Sequence, residues 1–189
     1  KSGFLVPTLK NSPNAQSFLS VPYYMVLKEN KDITFTPRFY TEDKFLLQSE
    51  YRQENYKSSH ISDFSYLYEK NSSSKSHFFY KLDKKIDLGN FEDSKLKLKI
   101  EKTSNDTYLK SNKLQSPIIL SETVLENSLS FDMSSADTSI NTEFRVYESL
   151  DKKKSDRYEF ILPKIEFVKK LENKISLIGD FQFISNNFI

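Results

Sequence analysis

At 189 residues and 22.2 kDa the chain has the length of one domain. Its 28 basic and 26 acidic residues leave a net charge of +2, without the strongly basic balance of a nucleic-acid binder. The 16 Phe and 11 Tyr argue against a disordered chain, and the absence of cysteine excludes a disulfide framework and thiol or Cys-based metal chemistry.

The N-terminus, Lys1-Ser2-Gly3-Phe4, carries neither an initiator Met nor a signal peptide, so the chain is expected to be part of something longer, or processed. From there the hydrophobic period is mostly two. Ile33, Phe35, Pro37 and Phe39 share one face, opposite Thr34, Thr36, Arg38 and Tyr40. Phe45, Leu47, Ser49 and Tyr51 oppose Leu46, Gln48, Glu50 and Arg52. Lys95 to Glu101 alternates without a fault, with Lys95, Lys97 and Lys99 on the polar side. Leu125, Leu129, Phe131 and Met133 oppose Glu126, Ser128, Ser130 and Asp132. The last clear face is Ile175, Leu177, Phe181 and Phe183.

Between these runs the punctuation is polar. Lys28 to Asp32 predicts a tight connection, and Glu69 to Ser76 and Leu150 to Asp156 predict exposed loops. With glycine only at positions 3, 89 and 179, the turns fall to Asn, Asp, Ser and Lys. Roughly eight to ten strands fit, each about 8 to 12 residues, the length a tilted membrane-spanning strand needs. Ser111 to Thr123 fits no strand pattern. No apolar run of about 18 residues marks a transmembrane helix.

The pattern predicts an all-β antiparallel meander and leaves two architectures open. In a soluble sandwich or lipocalin-like binding module the apolar faces point inward. In an outer-membrane barrel they meet lipid, and the charged faces line the lumen. Aromatic pairs such as Tyr23-Tyr24 and Phe78-Phe79-Tyr80 suit interfacial girdles of a barrel.

Catalytic patterns fail. His60 and His77 sit in polar, Ser-rich stretches and read as solvated loop residues, with His60 and Asp63 as the close pair. Neither belongs to a metal-ligand spacing, and no nucleophile elbow or phosphate-cradling glycine loop occurs. Glu42-Asp43 and Glu92-Asp93 lie beside lysines and read as surface turns. The prolines carry more. Pro7, Pro22 and Pro37 each fall in or beside a strand-like run, where a residue without an N–H belongs at an edge, a bulge or a weakened pairing.

These residues also carry a family resemblance. Ser2-Gly3-Phe4-Leu5-Val6-Pro7 resembles the S-G-F-L-x-P segment that opens the barrel of LptD, the lipopolysaccharide-assembly family (OstA/Imp) of the Gram-negative outer membrane. Val21-Pro22-Tyr23-Tyr24 resembles its L-P-Y-Y, and Lys31 to Tyr40 its D-x-T-x-T-P-R-Y. Glu50-Tyr51-Arg52 resembles its E-F-R-Y, and Ser104 to Leu109 its S-D-D-x-Y-L. Met25 stands where the family usually has Trp, and Gln48-Ser49 where a glycine is common. Past Leu109 only the strand alternation continues.

The resemblance implies that residues 1–189 are a single segment, the N-terminal portion of a transmembrane barrel domain, without the periplasmic jellyroll and the closing strands. It implies insertion of lipopolysaccharide into the outer leaflet through a lateral gate, with Pro7 and Pro22 weakening that gate. Arg38, Glu50, Arg52, Lys95, Lys97 and Lys99 are then candidates for the polar lumen, where the cations attract the phosphates and acidic sugars of lipopolysaccharide. The implied partners are lipopolysaccharide, an LptE-like lipoprotein plug, the periplasmic Lpt bridge and membrane lipid, with no nucleic acid. No cofactor, metal or catalytic residue is expected.

Overall fold

Alternating apolar and polar residues build one sheet. The computed structural model describes residues 1–11, 17–41, 43–172 and 178–188. Thirteen strand segments form a single antiparallel meander. They are β1 (Gly3–Phe4), β2 (Thr8–Lys10), β3 (Phe18–Ser20), β4 (Tyr23–Lys28), β5 (Lys31–Tyr40), β6 (Lys44–Asn55) and β7 (Ser58–Glu69). Then follow β8 (Lys75–Lys85), β9 (Asp93–Thr103), β10 (Val124–Ser134), β11 (Thr138–Ser149), β12 (Tyr158–Glu172) and β13 (Ile178–Phe188). One short helix, α1 (Tyr108–Asn112), lies between β9 and β10.

From β5 onward each strand pairs with the next in chain order. Because β1 pairs with β4, β2 with β3, and both β3 and β4 with β5, the four short segments are halves of two strands. The sheet is therefore eleven strands wide rather than the eight to ten of the sequence reading. The edges, at β1–β2 and β13, are not paired with one another among the described residues. Glu29-Asn30 and Tyr56-Lys57 make two-residue turns at one end, and residues 104–123 make the longest loop at the other.

Register sorts the side chains onto two faces. One face carries aligned apolar partners across strands: Leu9, Leu19, Phe39, Phe45 and Tyr68 in one line, and Met133, Ile140, Phe167 and Phe183 in another. Among the described residues no second layer covers this face, so Phe39, Phe64, Tyr68, Phe181 and Phe183 are each 41–52% exposed. Ile175 and Leu177 of the last predicted face lie outside the described residues, as does Glu42.

The hydrophobic core sits on the opposite, polar face, where residues 104–123 fold back against the sheet. Tyr108, Leu109, Leu114 and Ile118 pack with Leu46, Leu67, Phe79, Leu125 and Leu150. Burying each such side chain contributes about 1.5–3 kcal/mol. Asn105 opens the loop by accepting from the Thr107 N–H and hydroxyl, and Lys113 closes α1 in the left-handed region (φ 46°). Phe79 is thus a core residue and not part of a girdle, and Tyr23 sits midway along the second strand against Phe4, with ring centroids 5.0 Å apart.

Candidate functional site

The first two strands are broken where their prolines fall. In β3 and β4, Ser20 opposes Arg38 and Tyr23 opposes Phe35 of β5, so one unbroken register sets Val21 opposite Pro37 and Pro22 opposite Thr36. On the other side the register slips by one between Phe4–Tyr23 and Thr8–Ser20. Val6 is the extra residue, 84% exposed, and Pro7 returns opposite Val21. Pro7, Val21 and Pro37 therefore stand at one level across three strands.

The missing donor can be placed. Leu5 N–H donates to the Pro22 carbonyl at 2.9 Å. In an antiparallel ladder such a pair exchanges two bonds, and Pro22 has no N–H to return the second. Pro7 and Pro22 thus sit in the gaps of the first two strands, while Pro37 is held within β5 by its pairing with Leu47.

A second construction lies under the loop. Ser65 Oγ is 2.6 Å from His77 Nδ1 and 2.6 Å from the Tyr108 hydroxyl. His77 Nε2 lies 3.3 Å from Asp63 Oδ1, and Gln48 Nε2 donates to Asp63 at 3.0 Å and to the Gln115 carbonyl at 2.8 Å. Nearer the edge, Arg38 Nη1 donates to the Asn112 carbonyl at 2.7 Å. Strands β5 to β8 thus hold the loop through polar ties, which a buried loop needs for its backbone groups. Burial pushes the Tyr108 phenol up to about 12, against smaller lowering by its Ser65 hydrogen bond.

His77 corrects the sequence reading. It lies in β8, is 2% exposed, and stacks on Phe79 with centroids 4.3 Å apart. Asp63 lies beside His77 and not beside His60, which contacts Tyr80 and Ser58 from within β7. Histidines from adjacent strands separate in space although both look loop-like in sequence. Ser65, His77 and Asp63 have the composition of a nucleophilic triad. Ser65 is fully buried and its hydroxyl is engaged by Tyr108, so the arrangement works as a fastening.

The loop is also fastened from above. Arg157 donates from both Nη atoms to Asp106, at 2.9 and 2.6 Å, and from Nε to Glu148 at 2.7 Å. These hydrogen bonds, Asp106 first, hold the guanidinium even more firmly protonated than usual.

The polar candidates share the loop-bearing face. Arg52 pairs with Asp32 at 2.9 Å and lies 3.6 Å from Glu50. Lys95 pairs with Asp93 (2.5 Å), Lys97 with Asp132 (2.7 Å), and Lys99 with Glu101 (2.8 Å) and Glu126 (3.0 Å). Asp93 thus opens β9 instead of forming a surface turn. Arg38 differs from the rest in contacting the loop and the Phe18 ring, 5.2 Å from its centroid.

Ser65, His77, Asp63 and Gln48 escape sequence reasoning because alternation marks them only as a polar face. Tyr108 and Leu109 stand in the Ser104–Leu109 motif, which was the available pointer to them. Among the described residues, no group of three or more His, Cys, Asp or Glu side chains could hold a metal ion.

No family model matches the chain. Short stretches are similar to curated proteins, each named LPS-assembly protein LptD. The Nitrosococcus oceani protein is 40% identical over 55 residues, 29% of this chain and 8% of that protein. The Bordetella pertussis protein is 40% identical over 52 residues, 28% and 7% respectively. The Coxiella burnetii protein is 37% identical over 67 residues, 35% and 8% respectively. In its matched stretch, under a tenth of each relative's length, this all-β chain is similar to proteins named for lipopolysaccharide assembly.

Proposed function

We propose that this chain is the gate-bearing, N-terminal portion of an LptD-like outer-membrane barrel that inserts lipopolysaccharide into the outer leaflet. The observation that carries the reading is the alignment of Pro7, Val21 and Pro37 across the first three strands, with Pro22 leaving its bond to Leu5 unreturned. In hydrocarbon no water replaces a lost ladder bond, so a seam poor in them is the place where a barrel wall parts.

The uncovered apolar face supports the membrane setting. A soluble binding module would close its apolar faces on one another, and here they remain on a single open layer. In this reading the apolar face meets lipid and the loop-bearing face lines the lumen. Its partners in this reading are an LptE-like plug inside the barrel and the periplasmic bridge. No bond is made or broken, so no residue is assigned a catalytic role.

The test is to replace Pro7 and Pro22 together in the full-length protein. Restored ladder bonds should reduce lipopolysaccharide export and raise cross-linking yield across the seam. Unchanged export with unchanged cross-linking would sink the gate.

A further inference from the structure

On the outward face, apolar rows give way to polar ones toward the two-residue turns. Period two puts Phe64, Ser62, His60 and Ser58 of β7 on that face together. Register carries each level across the neighbouring strands. Ile33, Tyr51, Ser62, Tyr80 and Ile100 stand in one row. Lys31, Gln53, His60 and Leu82 stand in the next, and Asn55, Ser58 and Lys84 in the one after it. Toward the turns, β5 to β8 thus pass from apolar side chains through tyrosine to amides, an imidazole and lysines.

These polar side chains are linked in a chain. The Tyr51 hydroxyl donates to Gln53 Oε1 at 2.5 Å, Gln53 Nε2 to Asn55 Oδ1 at 3.0 Å, and Asn55 Nδ2 to the Ser58 hydroxyl at 2.9 Å. His60 Nε2 lies 3.1 Å from that hydroxyl, and its Nδ1 lies 2.9 Å from the Tyr80 hydroxyl. Polar groups persist on a lipid-facing wall where they bond one another or reach the head groups. Lys31 and Lys84 flank the chain, and neither has a carboxylate within ion-pair distance among the described residues. The lysines of the opposite face differ, since Lys95, Lys97 and Lys99 are each paired with an acid. The turns at this end are short and the longest loop leaves the other end, which in an outer-membrane barrel makes this the periplasmic side.

We propose that this strip seats an anionic phospholipid of the inner leaflet on the outer wall of the barrel. Lys31 and Lys84 hold the head group from either side of the His60 chain, and Tyr51 and Tyr80 lie against the start of the acyl region. The proposal rests on the membrane reading above and goes beyond it, because it concerns the wall and neither the lumen nor the seam. The lysines stand unopposed at the level where head-group phosphates lie, and each lysine near an anionic surface strengthens binding about fivefold.

Titration of the full-length protein in detergent with fluorescent phosphatidylglycerol tests this, with fluorescent phosphatidylethanolamine as the zwitterionic comparison. Wild type should prefer phosphatidylglycerol about tenfold or more. Lys31→Gln and Lys84→Gln should each weaken its binding about fivefold, and together remove the preference. Lys102→Gln should leave it unchanged, because Lys102 stands opposite Phe78 on the same face but toward the loop end. Lys84 is exposed, so its variant separates lost binding from misfolding. Equal affinity of wild type for the two lipids, a preference kept by the double variant, or an equal loss in Lys102→Gln overturns the seat. Displacement by equimolar inorganic phosphate would show an anion site without lipid character and overturns it too. The membrane reading is tested apart from this by unfolding of Phe64→Arg from lipid vesicles. A costly Phe64→Arg with no lipid preference sinks the seat alone, and a negligible cost sinks the membrane reading and the seat with it.

Discussion

Tyr108 joins the loop to the sheet with its ring and its hydroxyl at once. Tyr108→Phe keeps the packing and loses the tie to Ser65, at a cost of about 1 kcal/mol. Tyr108→Ala also empties the core position and should cost about 3–5 kcal/mol. Hydrogen exchange of the α1 amides measures both, and the order should be wild type, Phe, Ala. The fold prefers the neutral phenol, whose pKa rises from 10.0 to about 12. Loop packing therefore keeps this contribution below pH 10 and loses it as pH climbs toward 12. Exchange in α1 should accelerate across that window, and the acceleration should be absent in Tyr108→Phe. At this scale the sequence was least legible. Ser65 and His77 differ from the other polar residues of their strands only in what folds over them, which no local pattern encodes.

Strand elements show where ladder bonds are missing and what replaces them. Pro22→Ala supplies the N–H that can return a bond to Leu5, adding about 0.5–1.5 kcal/mol to the first seam. Slower exchange of the Leu5 amide would register it, and an unchanged rate would count against the pairing. A different repair operates between β9 and β10. Their backbone pairing starts only at Ser128–Lys99. Just beyond it the Asn127 side-chain amide takes the place of a strand, accepting from the Glu101 N–H at 2.9 Å and donating to the Glu101 carbonyl at 3.2 Å. The Glu126 N–H in turn donates to the Glu101 carboxylate at 2.7 Å. This divergence accompanies the burial of Leu125 in the core beneath the loop, away from its predicted apolar face. Asn127→Ala leaves two backbone groups of Glu101 without these partners and should cost about 1–3 kcal/mol, read as a lower midpoint in thermal unfolding of the full-length protein. Strand positions and the proline breaks were legible in sequence, because period two and a missing N–H are local properties. The splice at Asn127 was not, because it depends on where two strands part.

The whole sheet carries its apolar surface outward and its core under a loop on the polar side. Phe64 lies mid-strand on the open face, 41% exposed. Phe64→Arg should cost about 2–4 kcal/mol at the centre of a bilayer, whereas a surface change in a water-soluble protein stays within about 0.5 kcal/mol. Unfolding of the full-length protein from lipid vesicles distinguishes the two, and a negligible cost would remove the membrane setting.

Sequence by itself determined the all-β meander, the two-sided strands and the positions of their proline breaks, since each follows from the chemistry of a residue and its near neighbours. Tertiary structure decided the rest. It stacked Pro7, Val21 and Pro37 at one level, because register is a relation between strands. It folded residues 104–123 onto the polar face, because Tyr108 and Leu109 find apolar partners there on β6, β7, β8 and β10. It also set Lys97 against Asp132 and Lys99 against Glu101 and Glu126, because charge balance is set by distances across strands that alternation along one strand does not contain.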